Sequence, residues 1–433
     1  MYFQQYYPTY RYENRDIVLK EFEDALRISN TQSQLYNQLA NAFLAIITLG
    51  FTLFSKESNS GAVSFFSNHF LISYIFIFFI CFFVLTYFIE LQKTIVVNAR
   101  KVITLRRILG LDYGSLQLTI PNWRIEGATN PFCIKLFPGW FRFGSCPFWL
   151  IILLLNFLWW FNHNVISIEF LRDYWWVINL LITFLSAIYY RVKFLELHET
   201  LLLLLTKKIS KVLKIKLVDD FDYVLYRLKL SSCESERIKY DFSKLNKLLV
   251  DIEDRKFFSH NGVDFMALVR GFLSSFCCIR KMTGWLKSGG STISMQLCRT
   301  LFIFSSKSKF RRKFIEVLLA FWLENQFSKK DILKYYLVSV RFDKGINGVI
   351  GAISHFFSYK YNTTNVFAEN NYSLTWEESF FLIERLSNIT STYTESRILS
   401  LYDRLEENEK IDKKRLLDIY KYMEFREILV KNN

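Results

Sequence analysis

The sequence predicts a mainly α-helical protein in two parts, with transmembrane helical hairpins in its N-terminal half and an amphipathic helical domain after them. Three observations lead there. Of 433 residues, 51% are apolar and 18% aromatic, with 44 Phe, 24 Tyr and 10 Trp against only 5 Pro, a composition tilted toward membrane proteins. The apolar residues are concentrated before residue 195, in four runs near the ~20 residues that cross about 30 Å of hydrocarbon. Beyond about residue 217 the runs shorten to amphipathic spacing and the charges spread evenly, as expected of a domain with its own core.

Residues 1–195 are therefore assigned to a membrane module. It opens on MYFQQYYPTYRYENRD, too polar to be the start of a cleavable leader. Four spans are expected, at 39–54, 70–89, 147–161 and 175–190, pairing as two hairpins. The second, FLISYIFIFFICFFVLTYFIE, has no charge before Glu90; the third contains Asn156. Trp159, Trp160, Trp175 and Trp176 bracket the second hairpin turn, where an interfacial aromatic belt is expected. A central loop, 92–146, carries the turn-rich piece LTIPNWRIEGATNPFCIKLFPGW. Next come a basic amphipathic connector at 196–244, a helical domain at 245–395 and a charged helical tail at 396–433.

The net charge of +15 is placed beside the apolar runs. Lys93, Arg100, Lys101, Arg106 and Arg107 lie between the hairpins, and KKISKVLKIK, with five lysines in ten residues, follows the fourth run. Basic flanks of this kind dock on anionic lipid at roughly 1 kcal/mol per charge. Membrane lipid is thus an expected partner, and nucleic acid is not, because no basic motif stands apart from the membrane flanks. The seven cysteines are scattered, without metal-ligand spacing or a disulfide framework.

Three stretches of the second half carry chemistry-bearing residues. DIEDRKFFSHNGVDF, from Asp251, would place Glu253 and Phe257 four residues apart on one helix face, a carboxylate against an aromatic wall whose pKa would rise. KSGGSTISMQLCRTLF, from Lys287, combines Gly289 and Gly290 with Ser291 or Thr292 as a helix cap. Gln296 and Arg299 follow at helical spacing. KFRRKFIEVLLAFWLENQ puts Arg312, Lys313 and Glu316 on one face and Phe314, Val317, Leu318 and Phe321 on the other.

Taken together and in order, these blocks resemble the peptidoglycan glycosyltransferase domain, glycosyltransferase family 51, of class A penicillin-binding proteins and monofunctional transglycosylases. The family form E-D-x-x-F-x-x-H-x-G is matched by Glu253, Asp254, Phe257, His260 and Gly262. G-x-S-T-I-x-x-Q is matched by Gly289, Ser291, Thr292, Ile293 and Gln296, and R-K-x-x-E by Arg312, Lys313 and Glu316. GINGVIGAISHFFSY (345–359) and LTWEESFFLIERL (374–386) resemble later family segments, so the likeness covers about 245–395. The chain departs from the family at its fourth block, where Lys334 and Val338 replace an acid and an asparagine, and at Met295, Arg299 and Thr300.

The resemblance implies a lysozyme-like α-helical glycosyltransferase domain that extends glycan strands from lipid II, with lipid II and the growing strand as partners. By position, Glu253 would be the base that takes the proton of the attacking sugar hydroxyl, and Glu316 the second carboxylate. Arg299, Arg312 and Lys313 would neutralise the pyrophosphate, and a divalent cation, Mg or Mn, is admitted beside Glu316. Asp254, Phe257, His260, Gly290, Ser291, Thr292 and Gln296 complete the implied substrate site, His260 more as a structural hydrogen-bonder than as a base. MALVRGFLSSFCCIRKM corresponds to the family's membrane-dipping lobe. Other readings stay open: a lipid II-targeting membrane effector of toxin or defence type, a non-catalytic lipid II binder with a degenerate transferase domain, and a lysozyme-like hydrolase using the two carboxylates.

The expected location is the bacterial cell (inner) membrane, crossed several times. Four crossings return the chain to its starting side, and the basic stretches near 92–146 and after 207 both point to the cytoplasm. The family resemblance implies work on the outer side.

Overall fold

The computed structural model describes residues 15–56, 69–109, 146–162, 164, 169–196, 198–218, 221–237, 240–273, 290–305, 308–360, 373–389, 392–405 and 410–431. The chain divides into two compact units, the first closing at Glu199 and the second opening at Thr200.

The first unit is a helical bundle of α1 (Arg15–Lys56), α2 (Phe70–Ile108), α3 (Cys146–Asn162), the short α4 (Glu169–Asp173) and α5 (Trp175–Phe194). Two helices are far longer than the apolar runs that mark them. The run 39–54 is the C-terminal part of a 42-residue α1, and α2 continues through 39 residues, about 58 Å at 1.5 Å per residue. The sequence placed a loop from residue 92, but ELQKTIVVNARKVITLRRI contains neither Gly nor Pro, so nothing stops the helix where the polar residues begin. The turn-rich piece of that loop lies outside the described residues.

Neighbour contacts set the directions. Tyr36 meets Phe88 edge-on at 5.4 Å and Glu21 pairs with Lys101 at 2.5 Å, so α1 and α2 run antiparallel. Tyr74 Oη donates to the Leu155 carbonyl at 3.4 Å and Phe70 packs on Trp159, so α3 is antiparallel to α2. Thr86 meets Tyr189 at 2.8 Å and Glu90 faces Lys193 at 3.5 Å, so α5 runs parallel to α2. The core is Phe70, Tyr74, Leu85, Phe148, Ile152 and Tyr190 with their neighbours. Asn156 turns inward and donates to Thr183 Oγ1 at 2.9 Å. Trp159 belongs to this core, whereas Trp160 and Trp176 face outward, so only part of the expected tryptophan belt is on the surface. Ile72, Phe76, Phe83, Leu180 and Phe184 are each more than 60% exposed. Among the described residues, two helices, Phe70–Arg106 and Trp175–Phe194, are long and apolar enough to cross a membrane, and Pro147–Asn162 is a shorter apolar helix.

The second unit begins with α6 (Leu201–Val212), capped by Thr200, whose side chain accepts from Leu203 N. Then come β1 (Lys216–Leu217), α7 (Phe221–Arg237), α8 (Ser243–Glu253), α9 (Phe265–Leu273), α10 (Ile293–Phe302), β2 (Ile303–Ser305), α11 (Lys309–Gln326) and α12 (Lys329–Ser339). β3 (Arg341–Asp343), β4 (Ile346–Asn347), α13 (Val349–Phe356), α14 (Trp376–Ser387), β5 (Thr392–Tyr393), α15 (Glu395–Tyr402), α16 (Lys413–Phe425) and β6 (Val430–Lys431) complete it. The strands form two-stranded ladders only, β1–β2 and β3–β4 antiparallel and β5–β6 parallel. Segment 196–244, a connector by sequence, supplies α6, β1 and α7, of which α6 packs on α11 and α7 on α12.

Local chemistry fixes the helix starts. Ser328 accepts from Asp331 N, Asp412 from Lys414 N and Arg415 N, and Thr375 with Glu378 forms a reciprocal capping box. The centre is aromatic: Phe221 stacks on Phe302 at 4.6 Å and Trp322 closes on Phe302 at 5.4 Å. Phe356 and Phe357 pack against Phe381, which Tyr420 joins from α16. Around it α10 packs on α11 and α12, and α8 packs on α14.

Candidate active site

The site is assembled where α8 stops. Glu253 is the last residue of α8, and Asp254 leaves the helix with φ −157°. Residues 255–259 form turns rather than a further helical turn. The expected pairing of Glu253 and Phe257 on one helix face is therefore replaced by a different arrangement. Phe257 is fully buried beneath the Lys329 ammonium, 4.3 Å from its ring centroid, so it anchors the turn and cannot touch a substrate.

The turn is fastened to two helices. Buried Asp254 accepts from Ile293 N at 3.1 Å, at the start of α10, and lies 3.0 Å from His260 Nε2. A carboxylate at a helix N-terminus meets both unpaired N–H groups and the positive end of the dipole. Thr292 caps the same helix, accepting from Met295 N at 3.3 Å while donating to the Gly262 carbonyl at 2.6 Å. Gly262 has φ +87°, and a Cβ there would stand 2.9 Å from the Ala320 carbonyl oxygen of α11. Only glycine allows that approach without moving backbone. Asp254, Thr292 and His260 thus act on the shape of the site, with Asp254 and Thr292 too buried to reach a sugar.

That scaffold presents Glu253 to solvent while holding it in place. Gln296 Nε2 donates to Glu253 Oε2 at 2.8 Å, and Tyr336 Oη donates to Gln296 Oε1 at 2.8 Å. Because a carboxylate can only accept, the amide must aim its nitrogen at Glu253, and its oxygen is then left for the Tyr336 hydroxyl. Burial, and then the Glu253 charge, push the Tyr336 phenol far above its ordinary value, so it remains a donor. Tyr336 had no role in the sequence reading. Its signal was present in the fourth block, KYYL, but its helix lies 40 residues beyond Gln296.

Tyr336→Phe leaves the Gln296 oxygen without its donor, a cost of about 1–2 kcal/mol. The expected result is roughly a tenfold fall in kcat with KM nearly unchanged, checked by steady-state kinetics. A raised KM with kcat unchanged would show that the relay only binds substrate.

A second cluster carries the positive charge. Glu316, buried in α11, has Arg312 Nε at 3.0 Å and Lys313 Nζ at 3.7 Å. The Arg312 contact lacks hydrogen-bond geometry and is an ion contact only. Lys313 also donates to Ser291 Oγ, in the extended segment with Gly290 that leads into α10. Exposed Arg299 lies one turn beyond Gln296 on α10, and its charge bears on both Lys313 and Tyr336.

Burial, opposed by Glu316 and reinforced by Arg299 and Arg312, holds the Lys313 ammonium below its ordinary value. The protonated form is disfavoured, so the charge is lost at a lower pH than for a free lysine. Activity toward an anionic leaving group is expected to fall on an alkaline limb set by Lys313. Lys313→Arg should move that limb upward in a pH profile of kcat/KM, since a guanidinium stays charged. An unmoved limb would assign it elsewhere.

The altered fourth-block residues lie off these clusters. Lys334 points to Glu236 of α7 at 2.5 Å on the exposed side, and Val338 is buried, its carbonyl 2.7 Å from where a Cβ on Gly348 would stand. Among the described residues no three His, Cys, Asp or Glu converge, and Glu316 is already occupied by two cations. A divalent cation beside Glu316 would have that one protein carboxylate to bind and would take its remaining oxygens from substrate phosphate and water. A half-exposed, hydrogen-bonded carboxylate and three cations on the same packed helices suit removal of a proton and stabilisation of departing phosphate.

Residues 230–416 match the Transglycosylase family model. Penicillin-binding protein 4 of Bacillus subtilis (strain 168) is 32% identical over 134 residues, 30% of this chain and 20% of that protein. Proteins named biosynthetic peptidoglycan transglycosylase are 33% identical in two organisms. In Dechloromonas aromatica (strain RCB) the match covers 114 residues, 26% of this chain and 47% of the relative. In Nitrosomonas eutropha it covers 144 residues, 33% and 52%. The chain thus spans from a fifth to about half the length of these relatives.

Proposed function

We propose that this chain, which carries a transglycosylase-family domain at residues 230–416, is a membrane-bound peptidoglycan glycosyltransferase that polymerises lipid II into β-1,4 glycan and releases undecaprenyl pyrophosphate. The observation that carries the reading is the oriented carboxylate, Glu253 aimed by Gln296 and Tyr336, in a domain that also gathers Arg312 and Lys313 on Glu316 with Arg299 acting on Lys313.

The steps follow from what those groups can do. A sugar hydroxyl is a weak nucleophile at neutral pH, so Glu253 takes its proton as the new C–O bond forms at the donor's anomeric carbon. The bond from that carbon to pyrophosphate breaks in the same event, inverting the centre. Negative charge builds on the leaving oxygens, and Arg299, Arg312 and Lys313 meet it. Glu316 holds Arg312 and Lys313 in position and keeps their charges from repelling each other apart.

The apolar bundle supports membrane anchoring, because outward-facing Ile72, Phe76, Phe83, Leu180 and Phe184 make a surface that lipid covers at little cost and water does not. Exposed Phe265, Met266 and Val269 on α9 suit the interfacial region near a lipid-linked substrate. The positions of Lys334 and Val338 leave both charged clusters intact, which favours turnover over binding alone.

Incubating the full-length protein in detergent micelles with lipid II, and separately with finished glycan strands, tests the proposal. Polymer from lipid II with no cleavage of finished glycan is expected. Reducing ends released from finished glycan, with lipid II unused, would make the protein a hydrolase.

A further inference from the structure

We propose that the second unit works on the cytoplasmic face of the membrane and takes its lipid-linked sugar from the inner leaflet. This rests on the membrane-bound glycosyltransferase reading, and it concerns which pool of substrate that site can reach.

The helix directions of the first unit fix which ends lie together. α1 runs antiparallel to α2, α2 antiparallel to α3, and α5 parallel to α2. The polar half of α1, the C-terminal half of α2 and the end of α5 therefore share one end of the bundle. Lys93, Arg100, Lys101, Arg106, Arg191 and Lys193 all belong to that end. The opposite end, reached by Lys56 and by the turn between α3 and α5, has only Lys56 and Arg172 among its described basic residues. Short basic flanks stay in the cytoplasm, and acidic neighbours count little in this bias.

The point where the chain leaves the bundle is tied to the basic end. Lys93 donates to the Leu195 carbonyl at 3.0 Å and pairs with Glu196 at 3.6 Å, and Arg100 pairs with Glu199 at 2.5 Å. Glu199 also accepts from Glu196 N at 3.1 Å, closing the exit turn. Thr200, the first residue of the second unit, follows directly in the chain. Among the described residues beyond it, no helix is long and apolar enough to return across a membrane.

The reactions supplying this site are then transfer of a phosphosugar from a nucleotide sugar onto a lipid phosphate, which releases a nucleoside monophosphate and makes the pyrophosphate link, and transfer of a second sugar onto that product, with no transbilayer step before polymerisation. The polymer would form on the inner side, unlike a wall-building product.

Two measurements in living cells test the orientation without using turnover. The full chain is fused at Asn433 to β-galactosidase or to alkaline phosphatase, and a tag is inserted between Lys56 and His69. Active galactosidase, loss of phosphatase activity and a tag accessible from outside are expected. A variant retaining exposed Cys233 and lacking the other cysteines should lose labelling by an impermeant maleimide in intact cells and regain it on permeabilisation. Active phosphatase, labelling of Cys233 in intact cells, or an inaccessible tag would overturn the proposal. Failure to polymerise lipid II would instead strike the catalytic reading and leave these results unchanged.

Discussion

Glu253→Gln is expected to lower kcat for glycan bond formation by roughly 10²–10⁴-fold, the span that a positioned general base contributes. The substitution keeps size and planarity and removes the group that accepts the proton. Glu253 is half-exposed at the end of α8, so its loss leaves no buried cation uncompensated. Thermal unfolding should barely change, and KM should stay within a few-fold because the Arg299, Arg312 and Lys313 contacts are untouched. Quantified polymer formation and calorimetry on the same preparation check both halves. Retained activity would remove Glu253 from the reaction.

Glu316→Ala is expected to act on stability and activity together. This carboxylate is buried and is the anionic partner of both Arg312 and Lys313. Deleting one side of a buried ion cluster leaves uncompensated charge, at about 3–5 kcal/mol, and both cations here are partly exposed, so the lower end applies. For a domain of this size that corresponds to a fall in Tm of roughly 6–12 °C. Arg312 and Lys313 would then swing toward water, and kcat should fall for want of charge at the leaving group. Glu316→Gln fills the same volume, so it separates packing from charge. If the glutamine variant kept both Tm and kcat, the charge of Glu316 would have no part in either.

Much of the site was legible because its residues come in short, ordered blocks. Ser291, Thr292 and Gln296 sit at the start of one helix, and Arg312, Lys313 and Glu316 on one face of another, so local spacing alone brings each set together. Glu253 and Phe257 show where spacing misleads. The bond from Asp254 to Ile293 N holds the chain out of helical conformation just after Glu253, and that partner is 39 residues away. Tyr336 was illegible for the same reason: its role exists only once α12 is packed beside α10. Phe257 and Asp254 looked like site residues and turned out to be the struts beneath it.

In the first half, hydropathy located the apolar segments and missed the helix ends. Polar residues after Glu90 mark where lipid contact would stop, and α2 goes on to Ile108 because its backbone bonds do not depend on which solvent surrounds it. The pairing of helix ends likewise lay beyond sequence patterning, and it is what joins the exit at Glu199 to the basic end of the bundle.

The most direct test of the central claim is to measure binding and turnover of lipid II on one sample of the full-length wild-type protein, with Glu253→Gln beside it. Both are expected to bind lipid II with similar affinity, and only the wild type to release one undecaprenyl pyrophosphate for each disaccharide joined. Binding by both proteins with no pyrophosphate lipid released by either would contradict that claim, and would leave a lipid II binder whose carboxylate does no chemistry.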